Sequence, residues 1–374
     1  MKVALVHDYI KEYGGAERVL EALHEIWPEA PVYTAFYLPG FLGPHKERFY
    51  KWDIRSSWLS KVPYIAKFMS PARLLTPWIF ENLDFTEYDL VIVSATGAYF
   101  PNLIVRKPNT IHICYCHTPP RYLYGYKTSR NWQKYKTGRI VGGVVNHHLR
   151  LIDFISAQRP DFFIANSHET RRRIEKFYRR EAIVIYPPVD IKAGIKKQKS
   201  TTQKKNYFLA GGRLARAKRI DLAIEACNKL KLPLKVFGKE FAGYGEELKE
   251  IAGSTIEFLG EVSDDKLVEL YQGAKAFIYP SEEEDFGIMA VEAMAAGTPV
   301  IALNQGGLKE TVISGKTGIL FEEPTVDDLT EAIKKFNHLS IQKDDCIKQA
   351  KKFGKERFKK EIVNFINSKF KHHA

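Results

Sequence analysis

Cysteine is scarce in this 374-residue chain: there are four, Cys114, Cys116, Cys227 and Cys346. They form no paired CxxC sets, which argues against a structural zinc site and more strongly against a disulfide framework. Cys114 and Cys116 alternate along an apolar run, so they are expected to be small buried residues on one face of a strand. Long hydrophobic runs are missing too. AFIYP and DLVIVSA stop well short of the roughly 20 residues that span a bilayer. MKVALVHDYI turns polar at His7 and Asp8, too early for a signal-peptide core. No Asp-x-Asp pair offers a metal site, and no helix-turn-helix, zinc or RNP-type motif supports a nucleic-acid-binding protein. These absences leave a soluble, cytoplasmic-type globular chain, for which 45% hydrophobic and 27% charged residues are an ordinary balance.

Positive charge is abundant. Lys and Arg number 57 against 44 Asp and Glu, a net +13, which favours anionic partners without choosing among nucleic acid, acidic lipid and phosphorylated substrates. The length suggests about two domains, and the pattern agrees. KVALVHDY, a Gly14-Gly15 pair and AERVLEALHEIW read as strand, turn and helix. Buried-type strands follow at 89–95, 110–117, 161–167 and 182–189, with the helical stretch HETRRRIEKFY before the last. Ser167 reads as that helix's N-cap, and Arg171, Arg172 and Arg173 as a solvated face. Five lysines among residues 196–205 mark a linker. A second strand–helix alternation runs from NYFLAGGRL to TVDDLTEAIKKF. The predicted architecture is therefore α/β: a Rossmann-like domain over 1–190, a linker over 191–205 and a second such domain over 206–350. An amphipathic basic helix over 351–374 is expected to pack back toward the first domain. In doubly wound sheets ligands lie at the carboxyl ends of the strands, so two facing domains would share a cleft.

Residues 41–80 break the pattern, with nine aromatics and seven basic residues against two acidic. For any one aromatic a core position is the simpler expectation. As a set, Trp, Tyr, Lys and Arg suit a membrane–water boundary.

The chemistry concentrates in a few loops. Glu284-Asp-Phe-Gly-Ile-Met-Ala-Val-Glu292 stands at a helix entry. If both glutamates lay on one helix, the rise would separate them by about 12 Å, beyond the roughly 5–9.5 Å of hydrolytic carboxylate pairs. Two hydroxyl-binding positions on one extended ligand suit them better, with the backbone N–H groups of Phe286, Gly287 and Ile288 facing a phosphate. Arg213 and Lys218 follow a Gly-Gly turn at a strand end, where a guanidinium and an ammonium could neutralise a departing diphosphate. Arg216 and Arg219 read as surface charges. His117 closes a strand before a Pro-Pro loop, from which it could reach a sugar; His7 and Asp8 could shape the acceptor side.

These segments carry a resemblance. E-D-F-G-I-x-x-x-E-A-M-A-A-G-x-P-V-I-A is similar to the E-x7-E signature of the retaining glycosyltransferases of family 4. Ala210-Gly-Gly-Arg213-Leu-Ala-Arg-Ala-Lys218-Arg-Ile-Asp221 resembles that family's G-R-L-x-x-x-K-G-x-D stretch, departing at Arg219, where glycine is usual. Gly14-Gly15-Ala16-Glu17-Arg18-Val19 resembles its N-terminal glycine loop, and Asn304-Gln305-Gly306-Gly307-Leu308-Lys309-Glu310 the loop after the E-x7-E helix. Occurring in this order, the four matches cover nearly the whole chain. The resemblance implies the GT-B fold, two Rossmann-like doubly wound domains facing across a cleft, and transfer with retained anomeric configuration, without cofactor or metal. It implies catalytic roles for His117, Arg213, Lys218 and Glu284. Donor binding falls to Gly14, Gly15, Arg213, Lys218, Glu284, Phe286, Gly287, Ile288 and Glu292. The stretch from His117 to Tyr122 looks like that of bacterial mannosyltransferases of surface polysaccharide synthesis. It makes GDP-mannose the first-choice donor, a UDP-sugar the second, and a saccharide or lipid-linked saccharide at the inner membrane face the expected acceptor. Nucleic acid is not an expected partner. A nucleotide-sugar 2-epimerase of the same fold is the alternative, although E-x7-E is not its signature.

Overall fold

A computed structural model describes residues 1–126, 136–191, 194 and 206–373. Most of the expected linker, residues 192, 193 and 195–205, lies outside them. The chain divides into two compact units. One runs from Met1 to Pro188 and takes up the chain again from Phe358; the other spans Val189–Arg357.

The first unit is built on a seven-stranded sheet of β1 (Val3–Ile10), β2 (Val32–Tyr37), β3 (Ile54–Ser56), β4 (Leu90–Ala95), β5 (Ile111–Cys116), β6 (Phe162–Ala165) and β7 (Ala182–Val184). Its strand order is β3-β2-β1-β4-β5-β6-β7, and every pairing is parallel. The strands are apolar along their whole length because the sheet is covered on both faces. One face carries Val6, Val91, Val93 and Cys114; the other carries Leu5, Ile92, Ile113 and Tyr115 packed on Val19, Leu20 and Leu23 of the helix Gly15–Ile26. Cys114 and Cys116 are buried together on the first face, as their alternation predicts.

The second unit carries β8 (Phe208–Gly211), β9 (Leu234–Phe237), β10 (Ile256–Gly260), β11 (Phe277–Tyr279), β12 (Val300–Leu303) and β13 (Gly318–Phe321) in the order β10-β9-β8-β11-β12-β13, also all parallel. Each sheet therefore reverses its winding once, between β1 and β4 and between β8 and β11. Loops on either side of such a point diverge and leave a crevice outside the carboxyl ends of the strands, where α/β sheets bind ligands.

Over the expected 351–374 the structure has one helix, Lys355–His373, and a separate helix precedes it. Lys343–Lys351 ends before Gly354, whose backbone bridges to Val189, and Lys355–His373 follows. Phe353 packs on Phe286 in the second unit, with ring centroids 5.4 Å apart. Phe358, Ile362 and Ile366 lie in the core of the first unit, and Lys359 pairs with Glu25 at 2.6 Å.

In residues 41–80 the single-residue expectation of core positions holds for Phe49 and Phe80, which are fully buried. It fails for Phe41, Tyr50, Trp58, Tyr64, Phe68 and Trp78, which are exposed. The cause is local: the segment folds into short helical turns laid on the surface, such as Trp58–Lys61, Ile65–Phe68 and Pro71–Leu74. Turns that short bury one side chain each and leave the others outside. No helix among the described residues is long and apolar enough to cross a membrane.

Candidate active site

In the second unit the strand β8 ends in a turn that only glycine can make. A Cβ on Gly211 would fall 2.3 Å from the Phe237 carbonyl oxygen, and Gly212 holds φ +118° against Met289. This brings bare backbone to the surface beside Arg213, an exposed residue whose guanidinium sits 5.7 Å over the Phe241 ring. A turn of 3₁₀ helix, Arg216–Lys218, then delivers Lys218 toward the end of β11. Its ammonium donates to Glu284 Oε2 at 2.5 Å and to the Tyr279 hydroxyl at 3.0 Å. Ser281 Oγ donates to the same Glu284 oxygen at 2.8 Å. Lys218 and Glu284, 66 residues apart in sequence, thus meet at the reversal point of the sheet, together with Tyr279 and Ser281.

The loop after β12 fixes Glu284 from the other side. The Gly307 N–H donates to the Glu284 carbonyl at 2.8 Å, and a Cβ on Gly306 would lie 2.1 Å from that oxygen. The Gly306-Gly307 pair is therefore a consequence of backbone laid on backbone. Beyond Glu284 the helix Ile288–Ala295 opens on Gly287 at φ +87°. Glu284 precedes that helix, so the single-helix spacing of the two glutamates does not apply. Phe286, buried against Phe353, sits before the N-cap; the amides without intrahelical acceptors begin at Gly287 and Ile288. Ala290, Val291, Ala293 and Met294 face the core. Ile288, Met289 and Glu292 share the half-buried side, and Met289 is the residue against Gly212. Glu292 therefore has a face to look out from, in a helix that is otherwise apolar.

Two arginines expected at the surface behave differently. Arg216 is a surface residue paired with Glu247. Arg219 is not free surface charge: it pairs with Asp221 at 3.0 Å and with Glu282. Burial opposes its charge, but these two hydrogen bonds outweigh it and raise its pKa. It also takes the left-handed conformation, φ +49°, that glycine would occupy there more cheaply. The departure from the family pattern thus keeps the turn and adds an ionic clasp across it.

In the first unit the corresponding loops gather around the ends of β1, β4 and β5. Gly14 and Gly15 start the helix Gly15–Ile26, and Glu17 reaches back to accept the Gly14 N–H at 2.8 Å. Asp8 is wholly buried; it accepts from the Thr96 N–H at 2.8 Å and from the Thr96 hydroxyl, and burial raises its pKa despite these bonds. His117, 9% exposed, accepts a place between Ser94 and Tyr115: Ser94 Oγ lies 2.9 Å from its Nε2. Burial, with the adjacent His7, lowers its pKa to about 3, so the ring is neutral at any ordinary pH. Ser167 is the N-cap its position predicts, bonded to the Thr170 N–H at 3.0 Å. Arg173 corrects the reading of a solvated arginine run. It is 2% exposed, bonded to Glu169 and to Thr118 Oγ1, each at 3.2 Å, and stacked over Tyr126. Ser94, Tyr279 and Ser281 were not signalled in the sequence, because each reads as an ordinary residue at a strand end.

The comparisons with known proteins agree with this construction. The model described as Glycosyltransferase Family 4 matches residues 13–193, and that described as Glycosyl transferases group 1 matches residues 192–353. The chain belongs to the family 4 glycosyltransferases and has their GT-B fold. Among its relatives, the alpha-1,3/1,6-mannosyltransferase ALG2 of Mus musculus is 26% identical over 94% of this chain and 93% of its own length. An uncharacterized glycosyltransferase of Methanocaldococcus jannaschii, MJ1178, is 31% identical, but the match spans only 54% of this chain and 55% of that one. Among solved structures, HepE of Anabaena in complex with UDP superposes with a TM-score of 0.70 at 20% identity, covering 98% of this chain and 100% of HepE.

Proposed function

We propose that the chain is a retaining hexosyltransferase that moves mannose from GDP-mannose onto a saccharide or lipid-linked saccharide in surface polysaccharide synthesis. The observation that carries this reading is the convergence of Lys218, Glu284, Ser281 and Tyr279 at the reversal point of the second sheet, beside the bare Gly211-Gly212 turn and the start of the helix Ile288–Ala295. A cation, a glycine turn and a helix N-terminus are what a diphosphate requires. The ALG2 relative, a mannosyltransferase, supports mannose; HepE, bound to UDP, keeps a UDP-sugar as the second donor.

In this reading Arg213, Lys218 and the amides from Phe286 to Ile288 hold the diphosphate, Glu292 accepts hydrogen bonds from the ribose hydroxyls and Glu284 from the hydroxyls of the donor sugar. Gly14 and Gly15 let the N-terminal loop approach donor phosphate and acceptor, and His117 hydrogen-bonds the transferred sugar. The bond from the anomeric carbon to the β-phosphate oxygen breaks as the acceptor oxygen bonds to the same face of that carbon. The acceptor proton passes to the leaving phosphate oxygen, and the charge that builds there is neutralised by Lys218 and Arg213. With the diphosphate held by these cations, the scheme needs no metal or cofactor.

Peripheral association with an anionic membrane at the cytoplasmic face completes the reading. Residues 57–80 contain Lys61, Lys67 and Arg73 and no acid. They expose Trp58 (50%), Tyr64 (76%), Phe68 (58%) and Trp78 (58%), and the rings of Trp58 and Trp78 pack edge to face. Aromatics beside cations are the composition of an interfacial surface.

The test is a panel of nucleotide sugars offered with short saccharide and polyprenyl-linked acceptors, with products read by mass and by anomeric NMR coupling. Mannose transfer from GDP-mannose with retained configuration is expected. Inverted products, or turnover of no donor in the panel, would overturn the reading.

A further inference from the structure

Three buried polar side chains of the first unit, His7, Ser94 and His117, are linked in series, and a fourth, Glu17, stands beside His7. Glu17 Oε2 accepts the Gly14 N–H, and its Oε1 lies 3.6 Å from His7 Nε2. His7 Nδ1 lies 3.0 Å from the Ser94 carbonyl oxygen and 3.1 Å from Ser94 Oγ. Ser94 Oγ lies 2.9 Å from His117 Nε2. His7 and Ser94 are register partners on the adjacent parallel strands β1 and β4, which is why these atoms are held so closely. None of the four residues is more than 9% exposed.

Donor and acceptor logic fixes the protons. A carbonyl oxygen only accepts, so His7 Nδ1 must carry a hydrogen to bond the Ser94 carbonyl. The same N–H faces Ser94 Oγ, which therefore accepts from His7 and has its own hydrogen left to donate. Among the described residues the one acceptor left for that hydrogen is His117 Nε2, and satisfying the buried hydroxyl leaves Nε2 unprotonated. A neutral imidazole has a single N–H, so that of His117 stands on Nδ1. Nδ1 has no hydrogen-bond partner among the described residues. At the far end Glu17 Oε1 stands 3.6 Å from His7 Nε2, beyond hydrogen-bond distance.

We infer that His7 and Ser94 are positioning residues that hold His117 in its Nδ1–H tautomer, leaving that N–H as a ready donor to a hydroxyl oxygen of the ligand. The tautomer follows from the resting protein alone; its use rests on the proposed sugar-binding role of His117.

The test is long-range ¹H–¹⁵N correlation NMR on full-length protein labelled with ¹⁵N-histidine, the His117 signals being assigned by their loss in His117→Gln. The expected spectrum shows Nδ1 protonated and Nε2 unprotonated, unchanged from pH 8 to pH 5. In Ser94→Ala the tautomer should become mixed while the melting temperature stays near that of the wild type, and Ser94→Thr should restore it. With a competent donor, Ser94→Ala should lower kcat about 10-fold and leave the donor KM within about 2-fold. An Nε2–H pattern in the wild type, or an unaltered tautomer in Ser94→Ala, would overturn the inference while leaving glycosyl transfer untouched. Absence of transfer from every donor with the Nδ1–H pattern intact would overturn the functional reading instead.

Discussion

Lys218 and Glu284 form an ion pair, Nζ to Oε2 2.5 Å, that joins the ends of β8 and β11 across 66 residues of sequence. The two residues have separate roles in the proposed transfer, one on phosphate and one on sugar, yet their side chains are bonded to each other. An entering diphosphate meets the carboxylate as well as the ammonium. Replacing Glu284 by Gln removes a negative charge from beside the incoming phosphates, worth about 1 kcal/mol at a solvated site, or roughly fivefold in affinity. Glu284→Gln should therefore bind a nucleoside diphosphate more tightly in calorimetry while losing turnover, since it no longer holds the donor sugar as a charged acceptor. Weaker nucleotide binding with full turnover would separate Glu284 from both roles.

Glu292 belongs to the nucleotide side. Hydrogen bonds from ribose hydroxyls to a carboxylate contribute about 1.5–3 kcal/mol, so Glu292→Ala should raise the Kd for the nucleoside diphosphate by about 10- to 100-fold. Its affinity for inorganic pyrophosphate should not change. Equal losses for both ligands would mean that the substitution had disturbed the helix Ile288–Ala295 rather than a ribose contact.

The buried Asp153 of the first unit makes stability depend on pH. Asp153 on the helix Lys136–Gln158 accepts from Tyr124 at 2.7 Å and Tyr178 at 3.1 Å, and burial outweighs both bonds, raising its pKa to about 7. The folded state thus binds this proton more tightly than the unfolded chain, and its contribution to stability falls as pH rises from about 4 to about 7. Asp153→Asn keeps the shape and removes the titration. Its melting temperature relative to wild type should rise between pH 5 and pH 8; a difference that is flat with pH would contradict the assignment.

Strands were legible wherever a whole apolar run crosses a buried sheet, as in Val3–Ile10 and Ile111–Cys116. The glycine turns were legible too, because backbone packed on backbone leaves no other residue type. Pairings across long separations were not. Nothing in the neighbourhood of Lys218 announces Glu284, and Ser94 is one more small residue in a strand until its register opposite His7 is known. Arg173 looked solvated as one of three consecutive arginines; helical phase puts it with Thr170, Ile174 and Tyr178 on the inward side. The helix expected from residue 351 starts at Lys355, a boundary hidden because the apolar spacing runs from Phe353 to Phe358 although the two serve different units.

Vesicle binding tests the aromatic surface. Wild-type protein should pellet with vesicles containing anionic phospholipid at low salt, and 0.5 M salt should weaken this through screening of Lys61, Lys67 and Arg73. The double substitution Trp58→Ala, Trp78→Ala should reduce the bound fraction several-fold without lowering the melting temperature, since both rings are exposed. Pelleting that the double variant retains in full would assign membrane contact elsewhere.

The most direct measurement is calorimetric titration of GDP, UDP and the corresponding nucleosides into the wild type and Lys218→Ala. If Lys218 grips the pyrophosphate, a nucleoside diphosphate binds the wild type, the nucleoside binds far more weakly, and Lys218→Ala narrows that gap by about 10-fold or more. The same variant should lose about 3–4 kcal/mol of transition-state stabilisation in kcat/KM. Diphosphate and nucleoside binding equally well, or a Lys218→Ala variant with wild-type affinity and turnover, would contradict the account.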